Sequence, residues 1–470
     1  MKILLIRPFT DATQGNSPPF ALMYLSSYLK SKQIDTILID KCVHKRFFGD
    51  FRISCSHVQN LLQDINDYNP DIIGMTLFSR ELKEISTLCR LIKNEFKSKI
   101  IVLGGPHPTA MSDECLKQIP ECDFIVRGEG EITFSNLIES LHDNKDLSDV
   151  KGISFRSKNE ILHNKDADIN YNLDDFPFPD RESLIRNYKN GSYGHIVYGS
   201  PSDILMTSRG CPFQCGFCFK VCSKYRNRSP ENVINEIDWI VKNIMPEYIQ
   251  IMDDSFTIQK ERCTRILDKL TAKKYPCKFK VRSRANAVDK ELLDKMKQAG
   301  VTTVVYGFES GSQKMLDAFN KKTTVKQNIA ACTLTKKAGL NCFGDMILFY
   351  PGETKETLKE TEKFIKSAKP HAVKFYVLTP LPKTKVYEEA KKNGNLVGDW
   401  QIDEQSPWIK LDEFDGITEM EQIAKKMFRR QFLIPWRVFW FLQYHGILLI
   451  KRPTFFIKMF VYTFFEKIKY

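Results

Sequence analysis

The sequence predicts an α/β protein made of two successive strand–helix arrays, and three observations lead there. Short apolar runs alternate with stretches of helical spacing along most of the chain. Nearly every apolar run ends in Gly, Pro, Ser, Thr or an acid, as strands of a parallel sheet do where loops carry ligands. The alternation breaks once, across the proline-bearing stretch Asp174-Asp-Phe-Pro-Phe-Pro-Asp180. A chain of 470 residues has length for roughly two to four such domains, each with an ample core.

In the first array, Lys2–Ile6, Thr36–Ile39, Asp71–Met75, Lys99–Leu103 and Phe124–Val126 read as buried strands, with helices over 21–30 and 83–96. This alternation gives a doubly wound parallel sheet over residues 1–145. Its strand ends carry Pro8–Pro19, Thr76–Arg80, Gly104–Thr109 and Arg127–Glu131. Paired glycines admit a ligand close to the backbone, so Ser79, Gly104, Gly105, His107, Gly128 and Glu129 are candidate ligand contacts. No G-x-G-x-x-G is present, which argues against a dinucleotide. Residues 146–199 read as a linker: a hairpin (Gly152–Phe155, then Glu160–Leu162) followed by the extended Pro-x-Pro tether between domains.

From Asp203 the alternation resumes with six strands: Ile204–Met206, Tyr248–Met252, Phe279–Arg282, Thr303–Tyr306, Asp345–Phe349 and Ala372–Tyr376. Six units are too few for a closed eight-fold barrel, so a partial (β/α)6 barrel over 200–390 is expected, with its chemistry on the loops after the strands. Residues 391–470 are expected to form a helical extension. Composition is ordinary, 42% hydrophobic and 27% charged, but the net charge is +13. Most of that excess lies in residues 425–470, where ten Lys and Arg face a single acid, Glu466. The remainder is near neutral, which argues against a nucleic-acid surface. Val438–Ile450 is too short to span a bilayer, which takes about 20 residues. A basic, aromatic tail suits either packing on the barrel or peripheral contact with an anionic membrane face.

The sharpest feature is Cys211-Pro-Phe-Gln-Cys215-Gly-Phe-Cys218, a C-x3-C-x2-C run after the first barrel strand. Thiolates hold iron–sulfur clusters, and a four-iron cubane normally takes four of them, so three leave one iron open to a substrate or cofactor. Cys222 offers an alternative reading as a fourth ligand to zinc or a closed cluster. Thirteen scattered cysteines and an N-terminus that turns polar by Arg7 fit a cytoplasmic, reduced protein without disulfides.

Taken together, these motifs resemble the cobalamin-binding branch of the radical S-adenosylmethionine enzymes. The resemblance covers residues 1–390 and rests on the cysteine run with Phe217 before its last member, Pro18-Pro19, Gly104-Gly-Pro-His-Pro108, Arg127-Gly-Glu-Gly-Glu131, the Pro-x-Pro tether, Gly307-Phe-Glu-Ser-Gly311 and Tyr350-Pro-Gly-Glu-Thr354. It implies a Rossmann-like cobalamin domain at 1–145 and a radical barrel at 200–390. It further implies that Cys211, Cys215 and Cys218 hold a [4Fe–4S] cluster whose open iron binds S-adenosylmethionine. One-electron reduction, from a donor such as flavodoxin or ferredoxin, would then give a 5′-deoxyadenosyl radical that takes hydrogen from a small-molecule substrate.

By position within the family, Asp253 and Asp254 would meet the methionine amino group, with a helix N-cap as the competing role for them. Arg282 and Arg284 would meet its carboxylate, Glu309 would contact the cofactor, and Phe217 would wall the cluster. The D-x-H-x-x-G signature of a histidine-ligated cobalt is absent, and neither His44 nor His57 has that context, so cobalamin without a histidine ligand is implied. Tyr350 is bulkier than the family's usual residue before Pro-Gly-Glu-Thr, which implies a reshaped active-site floor. The implied activity is methylation of an unactivated carbon, with cyclisation or rearrangement as the alternative. If the tail rests on the inner membrane face, a hydrophobic, lipid or isoprenoid substrate follows.

Overall fold

The computed structural model describes residues 1–9, 17–42, 55–158, 160–169, 171–194, 201–404, 406–432, 434, 437 and 440. Parts of the Pro8–Pro19 loop, His44, and the basic, aromatic tail beyond 440 lie outside the described residues.

The first array is a seven-stranded sheet. Its strands are β1 (Lys2–Arg7), β2 (Asp35–Asp40), β3 (Ile72–Thr76), β4 (Ile100–Gly104), β5 (Phe124–Val126), β6 (Ile153–Ser157) and β7 (Glu160–His163), in the order β2-β1-β3-β4-β5-β6-β7. The first five are parallel, with Leu4 level with Ile37 on one side and Ile73 on the other. The inner strands β1, β3 and β4 are buried on both faces and almost wholly apolar, and Ile3, Leu4, Leu5 and Ile6 have no exposed surface, whereas the edge strand β2 leaves one face exposed. Strand order reverses between β1 and β3, which is where sheets of this kind open a ligand crevice. The hairpin β6–β7 stands at the sheet's edge, antiparallel to β5, with Phe124 opposite Phe155. Its sequence shows the turn but not the edge it joins.

The second array is a six-stranded, wholly parallel sheet. Its members are β8 (Ser202–Leu205), β11 (Tyr248–Ile251), β12 (Lys278–Ser283), β13 (Val301–Glu309), β14 (Asn341–Leu348) and β15 (Ala372–Val377). Each pairs with the next in sequence, β15-β14-β13-β12-β11-β8, as a partial barrel requires. Between β8 and β11 a short antiparallel pair, β9 (Ser208–Arg209) with β10 (Arg226–Asn227), closes the base of the cysteine loop.

One face of the barrel sheet, with Leu205, Ile249, Ile251, Phe279, Val281, Val304, Phe308, Met346 and Phe375, packs under the helices as the main core. The helix Lys290–Gln298 shows how the sequence sets these layers. Asp289 accepts the Leu292 N–H at 2.9 Å, Leu292, Leu293 and Met296 are buried, and Gly300 at φ +83 takes the chain out. Removing the cap would cost about 1 kcal/mol.

The C-terminal extension is only partly helical. A small antiparallel pair, Leu396–Val397 with Trp408–Ile409, precedes the helix Ile417–Phe432. Gly394 and Gly398, both at positive φ, turn the chain into and out of the first strand of this pair, so the stretch departs from the helical extension expected over 391–470. The helix packs on β15 through Gln431, which donates to the Val373 carbonyl at 2.8 Å and accepts its N–H at 3.1 Å. Among the described residues no helix is long and apolar enough to cross a membrane.

The tether joins the arrays by side-chain bonds. Asp174 accepts the Ser229 N–H at 2.9 Å, and Asp180 accepts from Ser26 and Lys30 at 2.5 and 2.7 Å. The next residue, Arg181, is fully buried between Asp203 (2.5 Å) and Glu236 (2.8 Å). These bonds hold the strand ends of the two sheets toward each other.

Candidate active site

The cysteine loop is fixed at both ends and irregular between. At its entrance Asp253, buried at the end of β11, accepts from both backbone N–H groups and both hydroxyls of Thr207 and Ser208. Gly210 turns the chain at φ +80, and a Cβ there would lie 2.3 Å from the Lys224 carbonyl, so no other residue fits. At the far side the Gly216 N–H donates to Phe319 O (2.9 Å), and Gly216 O accepts from Val386 N–H (3.0 Å). Tyr350 packs edge-on to Phe319 at 4.7 Å with its hydroxyl against Gly216, so it props up the loop from below.

Cys211, Cys215 and Cys218 carry free thiols. Burial, then the Asp254 carboxylate and the neighbouring thiols, push Cys218 up to about 11. Cys211 is raised too, by burial first, with Asp254 and Cys215 adding to it. The three sulfurs are carried on one short loop, with the Asp254 carboxylate near Cys211 and Cys218. A cation is what such a set of electron-rich donors calls for, since ligation holds sulfur as a thiolate. Among the described residues no three His, Cys, Asp or Glu side chains already stand close enough to clasp a metal. Cys222 turns elsewhere, its thiol donating to Lys224 O (3.4 Å) while its sulfur accepts from Arg226 (3.6 Å). That orientation fits a three-thiolate site rather than a closed one.

The other expected barrel contacts divide into two groups. Asp254 reaches solvent beside the thiols, and partial desolvation of its carboxyl, then Asp253, raise it despite Arg282 and Lys220. Arg284 lies over the Phe213 ring at 3.7 Å, points Nη1 at the Cys215 sulfur (3.8 Å) and donates Nη2 to Lys321 O. Its buried Nε lacks a partner among the described residues. These two residues remain able to meet a cofactor. Asp253 and Glu309 are committed to the protein. Asp253 is neither a free carboxylate nor an N-cap, because all its acceptor capacity goes to Thr207 and Ser208. Glu309 is bound by Lys321 at 2.7 Å, with both side chains buried. Phe217 packs edge-on to Phe319 at 5.6 Å, on the inner side of the loop.

The strand ends of the first sheet lie opposite, bonded to the loop ends through Glu129. Gly105 (φ +102) carries β4 past β3, where a Cβ would lie 2.8 Å from Thr76 Cγ2 and 3.2 Å from Leu77 O. Gly104 accepts the Leu77 N–H at 2.8 Å, tying the two loops together. His107 is buried, its Nδ1 2.9 Å from Ser79 Oγ, and its Nε2 has no partner among the described residues. Burial lowers its pKa to about 4, so the ring is neutral at physiological pH. Gly128 (φ +76) leaves open space where a side chain would stand, and its N–H donates to Thr109 Oγ1. An open cradle and an orphaned buried nitrogen at the sheet's crevice fit a large, polar-edged ligand such as cobalamin.

Glu129 does something else. It accepts from Arg209 (2.9 Å), from Arg226 and from the Tyr171 hydroxyl, while Glu131 takes the other arm of Arg209 at 2.7 Å. Against a desolvation that opposes it, Arg209 and Arg226 hold the Glu129 carboxyl below its usual range. The guanidinium of Arg209 also lies over Tyr24 and Phe176, at 4.8 and 5.5 Å. Glu129 is therefore a clamp between the first sheet and the ends of the cysteine loop. Sequence reasoning missed Arg209 and Arg226, although both flank the cysteine run, because clamp and ligand contact share the same charged signature. It also missed Trp400, which packs near His107 at 6.3 Å and with Ala110, Met111 and Tyr387, joining extension, barrel and first sheet. A third bridge runs from Arg80 to Thr379 at 3.3 Å.

Two sheets whose ligand-bearing ends face each other, one with three thiols and one with an open cradle, define an enzyme that brings two cofactors together. Comparison with known proteins agrees. Residues 205–365 match the radical SAM superfamily, and residues 6–138 match the B12 binding domain. The chain is 30% identical over 439 residues to an uncharacterized methyltransferase of Pyrococcus horikoshii, covering 90% of each. It is 27% identical over 448 residues to the anaerobic magnesium-protoporphyrin IX monomethyl ester cyclase of Rubrivivax gelatinosus, covering 92% of this chain and 78% of that one. Its fold matches that of the cobalamin-dependent S-adenosylmethionine radical enzyme OxsB with aqua-cobalamin and S-adenosylmethionine bound. The TM-score is 0.74 at 22% identity, over 92% of this chain and 67% of that one. The chain belongs to the cobalamin-binding radical S-adenosylmethionine enzymes. Its cofactors are a [4Fe–4S] cluster, S-adenosylmethionine and cobalamin.

Proposed function

We propose that the protein methylates an unactivated carbon of a small molecule, by radical chemistry that joins its two cofactor sites. The observation that carries this reading is that the ends of the cysteine loop are tied to the ligand-bearing strand ends of the first sheet, through Arg209 and Arg226 to Glu129, with Arg80 joined to Thr379. The full-length likeness to a protein named a methyltransferase supports it.

The chain's own residues supply the scaffold. Cys211, Cys215 and Cys218 ligate the cluster, Asp254 receives the methionine ammonium of S-adenosylmethionine, and Arg284 receives its carboxylate. Asp253 and Gly216 fix the two sides of the loop, and Phe217 with Phe319 excludes water from its inner side. Gly104, Gly105, Gly128 and the Ser79–His107 pair receive cobalamin. When bound, the cluster passes the electron that cleaves S-adenosylmethionine, and cobalamin provides the methyl group. A flavodoxin or ferredoxin serves as electron donor.

Radical cyclisation or rearrangement is the second reading, favoured by the likeness to a cyclase. The test is anaerobic turnover of reconstituted enzyme with candidate substrates, reductant and S-adenosylmethionine. Methylation predicts one S-adenosylhomocysteine with each 5′-deoxyadenosine and a product heavier by one CH2. Turnover that yields 5′-deoxyadenosine without S-adenosylhomocysteine overturns methylation in favour of the second reading.

A further inference from the structure

The inner face of the barrel sheet is not apolar. By strand alternation it carries Gln250, Lys280, Arg282, Val305, Phe343, Asp345, Ile347, Lys374 and Tyr376, while the neighbouring positions point into the core. Its charges are unbalanced. Asp345 answers Arg282 at 2.9 Å, and Lys321 is already spent on Glu309. Lys280 and Lys374 form no ion pair among the described residues. Each instead rests its ammonium on an aromatic ring, Lys280 over Phe343 at 5.9 Å and Lys374 over Tyr376 at 4.6 Å. An aromatic face steadies a cation without neutralising it.

Resting on the proposed function, we infer that Lys280 and Lys374 form an anion site inside the barrel that takes a carboxylate or phosphate group of the substrate. Asp345 pairs directly with Arg282, and its one charge is shared among Arg282 and the two ammoniums, so the set keeps a net positive charge. Phe343 and Ile347, with Trp440 edge-on to Phe343 at 6.0 Å near the amino-terminal end of β14, give the body of the substrate an apolar wall.

The spacing also sets a length. Lys280 lies four residues before Arg284, which directly follows the end of β12, about 13 Å at 3.3 Å per residue, and Arg284 Nη1 is 3.8 Å from the Cys215 sulfur. A substrate anchored at Lys280 thus places a carbon roughly 10 Å from its anionic group near the cysteine loop. Burial, with Arg282 and Lys374 nearby and Asp345 opposing, lowers Lys280 to about 8, so the site is fully charged only below that pH. Among the described residues the ionisable groups facing it are Arg282, Asp345, Lys374 and Tyr376, with Glu309 beyond Asp345 already paired to Lys321, so Asp345 is the carboxylate there that opposes an anion.

The test is calorimetry on the reconstituted full chain at pH 7 with 1-naphthyl phosphate, 1-naphthoate and neutral 1-naphthol. At least one anion should bind tenfold or more tightly than the alcohol, and whichever binds better names the group. The double variant Lys280→Met/Lys374→Met should erase that difference, as should each of Lys280→Gln and Lys374→Gln in part if the double variant fails to fold. Lys366→Met, on an outer helix, should leave it intact. Equal binding of the alcohol, retention in the variants, or displacement of the anions by one equivalent of S-adenosylmethionine would overturn the inference. Cleavage of S-adenosylmethionine by the wild-type preparation, measured alongside, judges the proposed function separately.

Discussion

Replacing Asp253 separates a loop-bracing role from a cofactor-binding one. Its carboxylate accepts four hydrogen bonds, two from backbone N–H groups at 2.6 and 3.2 Å and two from the Thr207 and Ser208 hydroxyls. Asp253→Ala leaves all four donors buried. The hydroxyls can rotate to other acceptors, but the two N–H groups cannot. Each stranded donor costs about 1–3 kcal/mol, and the loss of a charged acceptor adds to that, so the expected cost is about 4 kcal/mol. That corresponds to a fall in melting temperature of roughly 10 °C for a domain of this size. Asp253→Asn keeps one oxygen on the N–H pair and lets the hydroxyls accept from its amide, so it should cost about 1 kcal/mol. Thermal unfolding, iron content after reconstitution and S-adenosylmethionine affinity together decide the matter. The bracing role predicts that Asn retains iron and affinity, and that Ala loses stability and iron together. An Asn variant with normal melting and normal iron but S-adenosylmethionine binding weakened more than tenfold would refute it.

The clamp, the cradle and the motif after β14 give three more expectations. Arg209→Met leaves Glu131 uncompensated and weakens the hold on Glu129, so it should destabilise the protein by about 3 kcal/mol in a denaturant titration. Gly105→Ala forces a Cβ against Thr76 and Leu77 at positive φ; it should abolish cobalamin retention, read from the absorption spectrum after desalting, while iron content stays normal. Glu353 is buried beneath the β14 loop, accepting from Phe349 N–H and Thr357 Oγ1, and burial raises its carboxyl to about 7. The folded protein then keeps a proton that the unfolded chain has lost between pH 4.5 and 7. Stability falls as pH rises through that window, by about 3 kcal/mol, and is level above it. Glu353→Gln should remove this slope, measured as the wild-type minus variant difference in unfolding free energy at pH 5 and pH 8.

The parallel strands of the first sheet were legible because burial on both faces leaves a continuous apolar run with a polar stop, as in Lys2–Ile6 or Asp71–Met75. The cysteine loop was legible because its spacing serves little else. The partners of Asp253, Glu129 and Glu309 were not. A carboxylate at a strand end reads the same whether it faces a ligand or an arginine some 80 residues away, as Glu129 does with Arg209. Nor could the barrel's inner face be read strand by strand. Lys280 and Lys374 look like ordinary exposed lysines until the parallel register sets both strands around one interior.

The three-thiolate cluster is the claim on which everything else depends, and 5′-deoxyadenosine is its most direct readout. Reconstituted wild-type protein and Cys215→Ala would be incubated without oxygen in the presence of dithionite and S-adenosylmethionine, and the nucleoside quantified by chromatography. The wild type should form it, and the variant should form none. 5′-Deoxyadenosine that persists undiminished in Cys215→Ala would contradict the account.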